Sequence, residues 1–168
     1  MTTPRLLSSL RLALCAATFA AAPAWALDAG APAPDLNLPG VAEAVNLAKL
    51  KGKVVYVDFW ASWCGPCKQS FPFMNDLQSR YRGQGLEIVA INLDAKREDA
   101  DRFLADTPAR FTLAFDAKGE SARRFEVKSM PSSVLIDRDG KVVAAHKGFR
   151  EEDRRDLEAR IAQALASR

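Results

Sequence analysis

Two cysteines separated by Gly-Pro are the residues of this chain best suited to chemistry. Cys64 and Cys67 lie in the stretch Phe59–Lys68, which reads FWASWCGPCK. A predicted strand precedes Cys64 and a predicted helix follows it, so Cys64 falls at a helix N-terminus. The backbone dipoles there lower a thiol pKa below its ordinary ~8.5 and favour the thiolate, the nucleophile in disulfide exchange. The spacing predicts that Cys64 attacks a disulfide and that Cys67, one turn later and shielded, resolves the mixed disulfide.

Gly65 and Pro66 between the cysteines suit the first turn of a helix, where the missing N–H of proline costs nothing. Neither residue adds a positive charge beside the thiolate, so we expect a moderately reducing pair. A bridge across so short a segment gains little loop entropy, which makes a purely structural staple a poor explanation for the pair.

Asp58 interrupts an apolar strand six residues before Cys64. Burying a carboxylate is costly and raises its pKa unless the group is well paired. We therefore expect Asp58 to accept the proton of Cys67, directly or through water. A hydrogen-bonded core aspartate without a role in chemistry is the alternative.

The start of the chain has the pattern of a secretory signal. Met1–Arg11 is positively charged, Leu12–Ala22 is an apolar run of about 11 residues, too short to span a bilayer, and Ala24-Trp25-Ala26 offers small residues for a peptidase. We expect cleavage before Leu27, with an uncleaved anchor as the alternative.

Cleavage there divides the chain into a signal peptide, residues 1–26, and one domain, residues 27–168. Cys15 leaves with the leader, so the mature chain keeps a single pair of cysteines. The compartment predicted for such a protein is an oxidising periplasm, in which disulfides persist.

The charge balance argues against a nucleic-acid partner. The net charge is only +3, and Arg5 and Arg11 of the leader supply two of those charges. The remaining chain is close to neutral, and its 48% hydrophobic and 27% charged residues are ordinary for a globular domain.

Strand and helix patterns alternate along the chain, which predicts an α/β fold with a mixed sheet. A short strand near Leu36–Leu38 comes first, in an otherwise irregular N-terminal arm. The predicted strands after it are Lys53–Phe59, Leu86–Leu93, Phe111–Phe115, Ser133–Ile136 and Lys141–His146. The predicted helices are Cys64–Arg82, Lys96–Asp106, Gly119–Phe125 and Arg150–Ala166. The last two strands flank Asp137–Gly140, a hairpin turn that ends in glycine.

Met130-Pro131 precedes the fourth of these strands. By base frequency an X–Pro bond is trans, since only ~5–6% are cis. The residues alone therefore favour an ordinary turn at this position.

Taken together, these segments resemble thioredoxins. VDFWASWCGPCK is similar to a thioredoxin active site, and LKGKVVYVDFWASWC, KQSFPFM and FEVKSMPSSVLIDRDGKVV resemble the TlpA/ResA-type branch of exported thioredoxin-like reductases. The resemblance covers about Ala33–Ala166. It implies a thioredoxin fold, with a central mixed sheet flanked by helices, an N-terminal extension, and a central helix–strand insertion at Lys96–Phe115.

The resemblance also implies roles for single residues. Cys64 and Cys67 match the attacking and resolving cysteines, and Asp58 matches the buried acid. Pro131 matches the cis-proline that aligns an extended substrate chain. The remaining positions expected to contact substrate are Trp63, Gly65, Pro66, Met130 and Gly148. Ala90 stands where many thioredoxins have a lysine near the buried acid.

No metal site is predicted, because the mature chain offers only Cys64, Cys67 and His146 besides carboxylates, whereas structural zinc prefers four Cys or His ligands. His146 is expected to lie at the surface of an edge strand. The reduced cysteines could still bind Cu(I), because thiolates are soft ligands. No other cofactor than the cysteine pair is expected.

The predicted function is reduction of disulfides in exported proteins, with a membrane thiol protein as electron donor and the protein acting as a monomer. A copper-site or cytochrome c assembly factor that uses the same dithiol is an alternative, and so is a holdase without catalysis. VKSMPSS lacks the glycine-rich acidic stretch that the cytochrome c branch often has. A peroxiredoxin would need Thr where this chain has Ala61.

Overall fold

The computed structural model describes residues 27–167. The predicted signal peptide and Cys15 lie outside the described residues, as does Arg168. Of the described residues, none belongs to a helix with the length and apolar character needed to cross a membrane.

Strands and helices alternate in the order that the sequence predicts. The strands are β1 (Asn37–Leu38), β2 (Val45–Asn46), β3 (Val54–Trp60), β4 (Leu86–Asn92), β5 (Thr112–Phe115), β6 (Ser132–Ile136) and β7 (Val142–Lys147). The α-helices are α1 (Gly65–Tyr81), α2 (Arg97–Asp106), α3 (Glu120–Arg124) and α4 (Arg154–Ala166). Short 3₁₀ turns cover Leu47–Leu50, Arg82–Gln84 and Glu151–Asp153.

The main sheet has five strands in the order β5-β4-β3-β6-β7, and β1 and β2 form a separate antiparallel pair. β3 runs parallel to β4, and β4 runs parallel to β5. β6 and β7 are antiparallel to their neighbours. The predicted mixed sheet and thioredoxin fold are confirmed.

β3 is the central strand, and all seven of its residues are buried. Because side chains alternate along a strand, the residues of β3 pack into two hydrophobic cores, one on each face of the sheet. Val54, Tyr56 and Trp60 pack with residues of α1 and α4 on one face of the sheet. The other face packs against the N-terminal arm and α3. A strand covered on both faces explains the nearly unbroken apolar run in the sequence.

The predicted insertion forms α2 and β5, and β5 extends the sheet at its edge. Phe103 of α2 packs on Trp60 and Phe71, with ring centroids 4.8 and 5.1 Å apart respectively. The insertion therefore covers the end of the central strand that leads to the cysteines.

The N-terminal arm is more ordered than its composition predicts. A strand near Leu36–Leu38 is confirmed as β1, whereas β2 and the 3₁₀ turn Leu47–Leu50 were not predicted from the sequence. A two-residue strand is too short to show an alternating pattern. Its partner β1 defines it only once the chain has folded.

Candidate active site

The chain leaves the central strand at Trp60 and enters α1 at Gly65, so Cys64 is the N-cap residue of that helix. Its backbone is extended, with φ −83° and ψ 102°, and no side chain caps the helix. The first turn contains Pro66 and no acidic residue. The unpaired N–H groups of this turn and the positive end of the helix dipole therefore face Cys64 without a competing carboxylate.

The two cysteines form a disulfide with their Cα atoms 5.3 Å apart. Cys64 is 4% exposed and Cys67 is fully buried. The backbone N–H of Cys67 donates to the carbonyl oxygen of Cys64 at 3.2 Å. Cys64 therefore keeps a small exposed fraction whereas Cys67 has none, the order expected for an attacking and a resolving residue.

The surface next to the disulfide is formed by exposed residues. Trp63 directly precedes Cys64 and is 72% exposed, which is unusual for an indole ring. Gly65 and Pro66 are exposed as well, and a side chain added at Gly65 would meet open space. A partner can thus approach the cysteines from this side.

The loop that carries Trp63 is held by an aspartate that the sequence analysis missed. Asp94, after β4, accepts hydrogen bonds from the backbone N–H and the hydroxyl of Ser62, both at 2.9 Å. Its Oδ2 also accepts from Asn92 Nδ2 at 2.7 Å. Only the parallel pairing of β3 with β4 brings these residues together, so no local motif could have revealed them.

The proline loop lies at the same end of the sheet. The Met130–Pro131 peptide bond is cis, as the resemblance implied and the residues alone did not. β6 begins with Ser132, which pairs with Phe59 near the end of β3. Met130 packs against the core cluster that contains both cysteines.

Gly148, directly after β7, is tied to this loop. Its N–H donates to the carbonyl oxygen of Pro131 at 2.8 Å. Its φ of +79° favours glycine, whereas a Cβ at this position would meet no atom of the described residues within 4 Å. The backbone conformation, rather than crowding within the chain, therefore requires glycine here.

Asp58 is 2% exposed and lies on the face of β3 that packs against α1. Its Oδ2 atom has no hydrogen-bond partner among residues 27–167. Burial raises the pKa of this carboxyl well above its usual value. Ala90 is the direct partner of Asp58 on β4. Where many thioredoxins have a lysine beside the buried acid, this chain therefore has only a methyl group.

Tyr56 lies two residues before Asp58 on the same face of the strand. Its hydroxyl donates to Ser133 Oγ at 2.8 Å, and the bond is buried. Burial, followed by the nearby negative charge of Asp58, raises the pKa of Tyr56. The acid and the phenol therefore share one desolvated face of the sheet, the face whose core cluster also contains both cysteines.

His146 lies on the edge strand β7, as predicted, but it is less exposed than a surface histidine. Its side chain is 29% exposed, and its Nε2 atom is buried. Across residues 27–167, no group of three or more His, Cys, Asp or Glu side chains is placed to hold a metal ion.

With this geometry established, comparison with known proteins defines the class. The chain matches the model of the Redoxin family over residues 28–161. It is 37% identical over 114 residues to the thiol-disulfide oxidoreductase ResA of Bacillus thuringiensis, and 35% identical over 130 residues to that of Oceanobacillus iheyensis. These alignments cover 68% and 74% of this chain, and 65% and 68% of the relatives.

Solved structures show the same likeness. A Chlorobium tepidum crystal structure, assigned as the thiol:disulfide interchange protein DsbE, has a TM-score of 0.83 and 55% identity, covering 84% of this chain and all of the other. A Bacteroides thetaiotaomicron solution structure, assigned as a protein disulfide isomerase, has a TM-score of 0.76 and 28% identity, covering 83% and 91%.

The fold and the cysteine pair are those of a thioredoxin-like thiol-disulfide oxidoreductase. The chain belongs to the Redoxin family and is of the TlpA/ResA type. The matched segment spans about two thirds of the length of the ResA relatives.

Proposed function

We propose that this protein reduces disulfides of exported proteins by dithiol–disulfide exchange. The observation that carries the proposal is the placement of Cys64 at the N-terminus of α1, bonded to a fully buried Cys67. The helix end favours the thiolate of Cys64 once the pair is reduced. The redox equivalents are held by the cysteine pair itself, so the exchange needs no further cofactor.

The exchange takes two steps. The Cys64 thiolate attacks a substrate disulfide, one substrate sulfur leaves as a thiolate, and a mixed disulfide forms. Cys67 loses its proton, and its sulfur then attacks the sulfur of Cys64. The second substrate sulfur leaves with two electrons, which reduces the substrate and oxidises the Cys64–Cys67 pair.

Asp58 is the proposed acceptor of the Cys67 proton, directly or through water. Its burial keeps its pKa high, so its carboxylate is a stronger base than an exposed aspartate. Cys67 belongs to the core cluster on the face of the sheet to which Asp58 points.

Substrate alignment is proposed for the residues around the disulfide. Trp63 offers an exposed aromatic surface, and Gly65 and Pro66 are exposed beside Cys64. Pro131, joined to Met130 by the cis peptide bond before β6, accepts a hydrogen bond from Gly148 after β7, and an extended chain can lie along these residues.

The predicted signal peptide supports a periplasmic location for the mature chain. An oxidising compartment would keep the pair as a disulfide, so the proposed cycle includes a membrane thiol protein that reduces it again. We propose that the protein acts as a monomer, because one chain supplies both cysteines and the acid.

The test replaces Cys67 with Ser in cells and identifies proteins trapped on Cys64. Trapped partners, together with insulin reduction by the wild-type dithiol, support the proposal. A Cys64→Ser control should trap nothing at the helix end. If the reduced wild-type protein leaves insulin unreduced, the proposed reductase function is wrong. Recovery of only apocytochrome c or copper-site proteins would assign the exchange to assembly of those centres and would overturn the broader substrate range.

A further inference from the structure

The proposed role of Asp58 raises the question of how its proton leaves. Asp58 is 2% exposed, so the carboxyl cannot exchange freely with bulk water. Each exchange would load it with one proton from Cys67. Re-reduction of the pair restores the thiol of Cys67, so a proton that leaves for solvent in one half of the cycle is taken up again in the other half. The inference below rests on the proposed function of Asp58 and extends it.

A row of polar side chains runs from Asp58 to the edge of the sheet. Ser133 on β6 is the direct partner of Asp58, and His146 on β7 is the direct partner of Ser133. Side chains of directly paired residues project to the same face of a sheet. Tyr56 shares that face, and its hydroxyl donates to Ser133 Oγ at 2.8 Å.

A cavity of about 90 Å³ adjoins this row. Tyr56, Ser133 and His146 line it from the sheet, and Asp156 and Arg160 line it from α4. A water molecule takes up about 30 Å³ in the liquid and needs two to four polar partners in a buried site. The volume and the lining therefore suit a short chain of water molecules.

His146 closes the row at the surface. It is the only histidine of the sequence. Its Nε2 is buried, has no hydrogen-bond partner in the described part of the chain, and lies 3.4 Å from Asp153 Oδ2, too far for a strong hydrogen bond. The exposed part of the ring reaches solvent, so one side of the imidazole is buried and the other is wet.

The charged groups around the imidazole suit a transient positive charge. Asp153 lies beside Nε2 in the turn before α4, where it also accepts from the backbone N–H of Arg150 at 2.8 Å and lies 3.6 Å from the Arg150 guanidinium. Asp156 and Arg160 face the cavity from α4 and bond to each other at 2.7 Å, which leaves little net charge there. Tyr56 faces it from β3 as a neutral donor.

We propose that Tyr56, Ser133 and His146 form a proton relay that returns the proton of Asp58 to solvent after each exchange. The Asp58 carboxyl gives its proton to the chain of hydroxyl groups and water. Each hydroxyl accepts one proton and releases its own, so it ends unchanged. The lone pair of His146 accepts the last proton, and the imidazolium beside Asp153 then releases a proton to bulk water.

The test follows two signals in one stopped-flow experiment on reduced full-length protein. Tryptophan fluorescence, from Trp60 and Trp63 near the cysteines, reports formation of the Cys64–Cys67 disulfide, and a pH-indicator dye reports release of the proton. The oxidant is an aromatic disulfide whose thiolates stay unprotonated at neutral pH, so the proton that appears comes from the protein. The pH is set on the alkaline limb of the activity profile, where Asp58 starts as a carboxylate.

In the wild type we expect both signals at the same rate. In His146→Gln and in Tyr56→Phe the rate of the fluorescence change stays the same, but the rate of proton release falls about tenfold below it. Groups that transfer protons in catalysis typically contribute more than that. Added imidazole should remove the lag in His146→Ala, because the edge of the cavity is accessible. Lys147→Gln, a neighbouring change on β7 that does not line the cavity, should show no lag.

Simultaneous signals in both His146→Gln and Tyr56→Phe would overturn the relay and leave the role of Asp58 intact. The role of Asp58 has its own readout, because Asp58→Asn should slow the fluorescence change itself. An unchanged fluorescence rate in Asp58→Asn would overturn both inferences. A lag in His146→Ala that imidazole does not remove would mean that the histidine acts only on structure, and would also overturn the relay.

Discussion

The Asp94 carboxylate accepts two hydrogen bonds from Ser62, one from the backbone N–H of Ser62 and one from its hydroxyl. These bonds link the end of β4 to the loop before Cys64. The carboxylate is 7% exposed and also accepts from Asn92. The loop that presents Trp63 and Cys64 is thus fixed by a residue outside the cysteine motif.

We expect Asp94→Ala to destabilise the protein by about 1–3 kcal/mol, because buried donors lose their acceptor. Asp94→Asn, which can still accept one bond, should cost less. Urea unfolding measures the change. Asp101→Ala removes only an exposed ion pair on α2 and should cost about 0.5 kcal/mol or less. If Asp94→Ala and Asp101→Ala lower the free energy of unfolding equally, the hydrogen bonds between Asp94 and Ser62 do not stabilise the fold.

The raised pKa of Asp58 predicts a pH-dependent stability. The folded protein binds this proton more tightly than the unfolded chain does. The contribution of Asp58 to the free energy of unfolding is therefore full below about pH 4, the unfolded pKa, and is lost as the pH rises through the folded pKa. Asp58→Asn removes the effect. The oxidised variant should therefore gain stability over the wild type above pH 4, by about 1.4 kcal/mol for each pKa unit of the shift.

Urea unfolding of the oxidised proteins from pH 4 to pH 9 measures that difference. Asp139→Asn, an exposed change in the hairpin turn, serves as the control and should follow the wild type at every pH. Parallel curves for Asp58→Asn and the wild type would contradict the raised pKa.

Substitution of Gly148 tests the requirement for its positive φ, because the position is not sterically crowded. Its φ of +79° makes Gly148→Ala unfavourable by about 1–2 kcal/mol, although no atom of residues 27–167 lies within 4 Å of the new methyl group. If a substrate backbone lies here, the variant should also raise KM for insulin while KM for a small aromatic disulfide stays the same. Gly83→Ala, at a glycine without positive φ, should change neither stability nor KM. An equal rise in KM for both substrates would contradict a role in aligning a polypeptide.

Trp63 is predicted to bind substrate without supporting the fold. Because the residue is 72% exposed, Trp63→Ala should change the free energy of unfolding by no more than about 0.5 kcal/mol. Exposed aromatic residues often dominate binding, and a loss of about 1.4 kcal/mol corresponds to a tenfold rise in KM for insulin. Val41→Ala alters an exposed apolar residue in the N-terminal arm and should leave KM unchanged. Unaltered KM in Trp63→Ala would exclude the residue from the binding surface.

Much of the fold follows from local patterns. The apolar run of β3 predicted a central strand, and the glycine of the Asp137–Gly140 turn predicted the hairpin, where Gly140 has φ +82°. The boundaries of α1 and β4 agree with the predicted ones to within one residue. These features depend on periodicity and on backbone preferences that neighbouring residues carry.

The sequence by itself determined the cysteine pair, its place at a helix N-terminus, and the buried acid six residues before it, because all three belong to one continuous strand–loop–helix segment. Tertiary structure alone decided which residues surround that segment. Asp94 meets Ser62, Ser133 and His146 line up with Asp58, and Gly148 bonds to Pro131. Each pair joins residues far apart in the chain through strand register, which is set by the packing of both sheet faces and not by any local spacing.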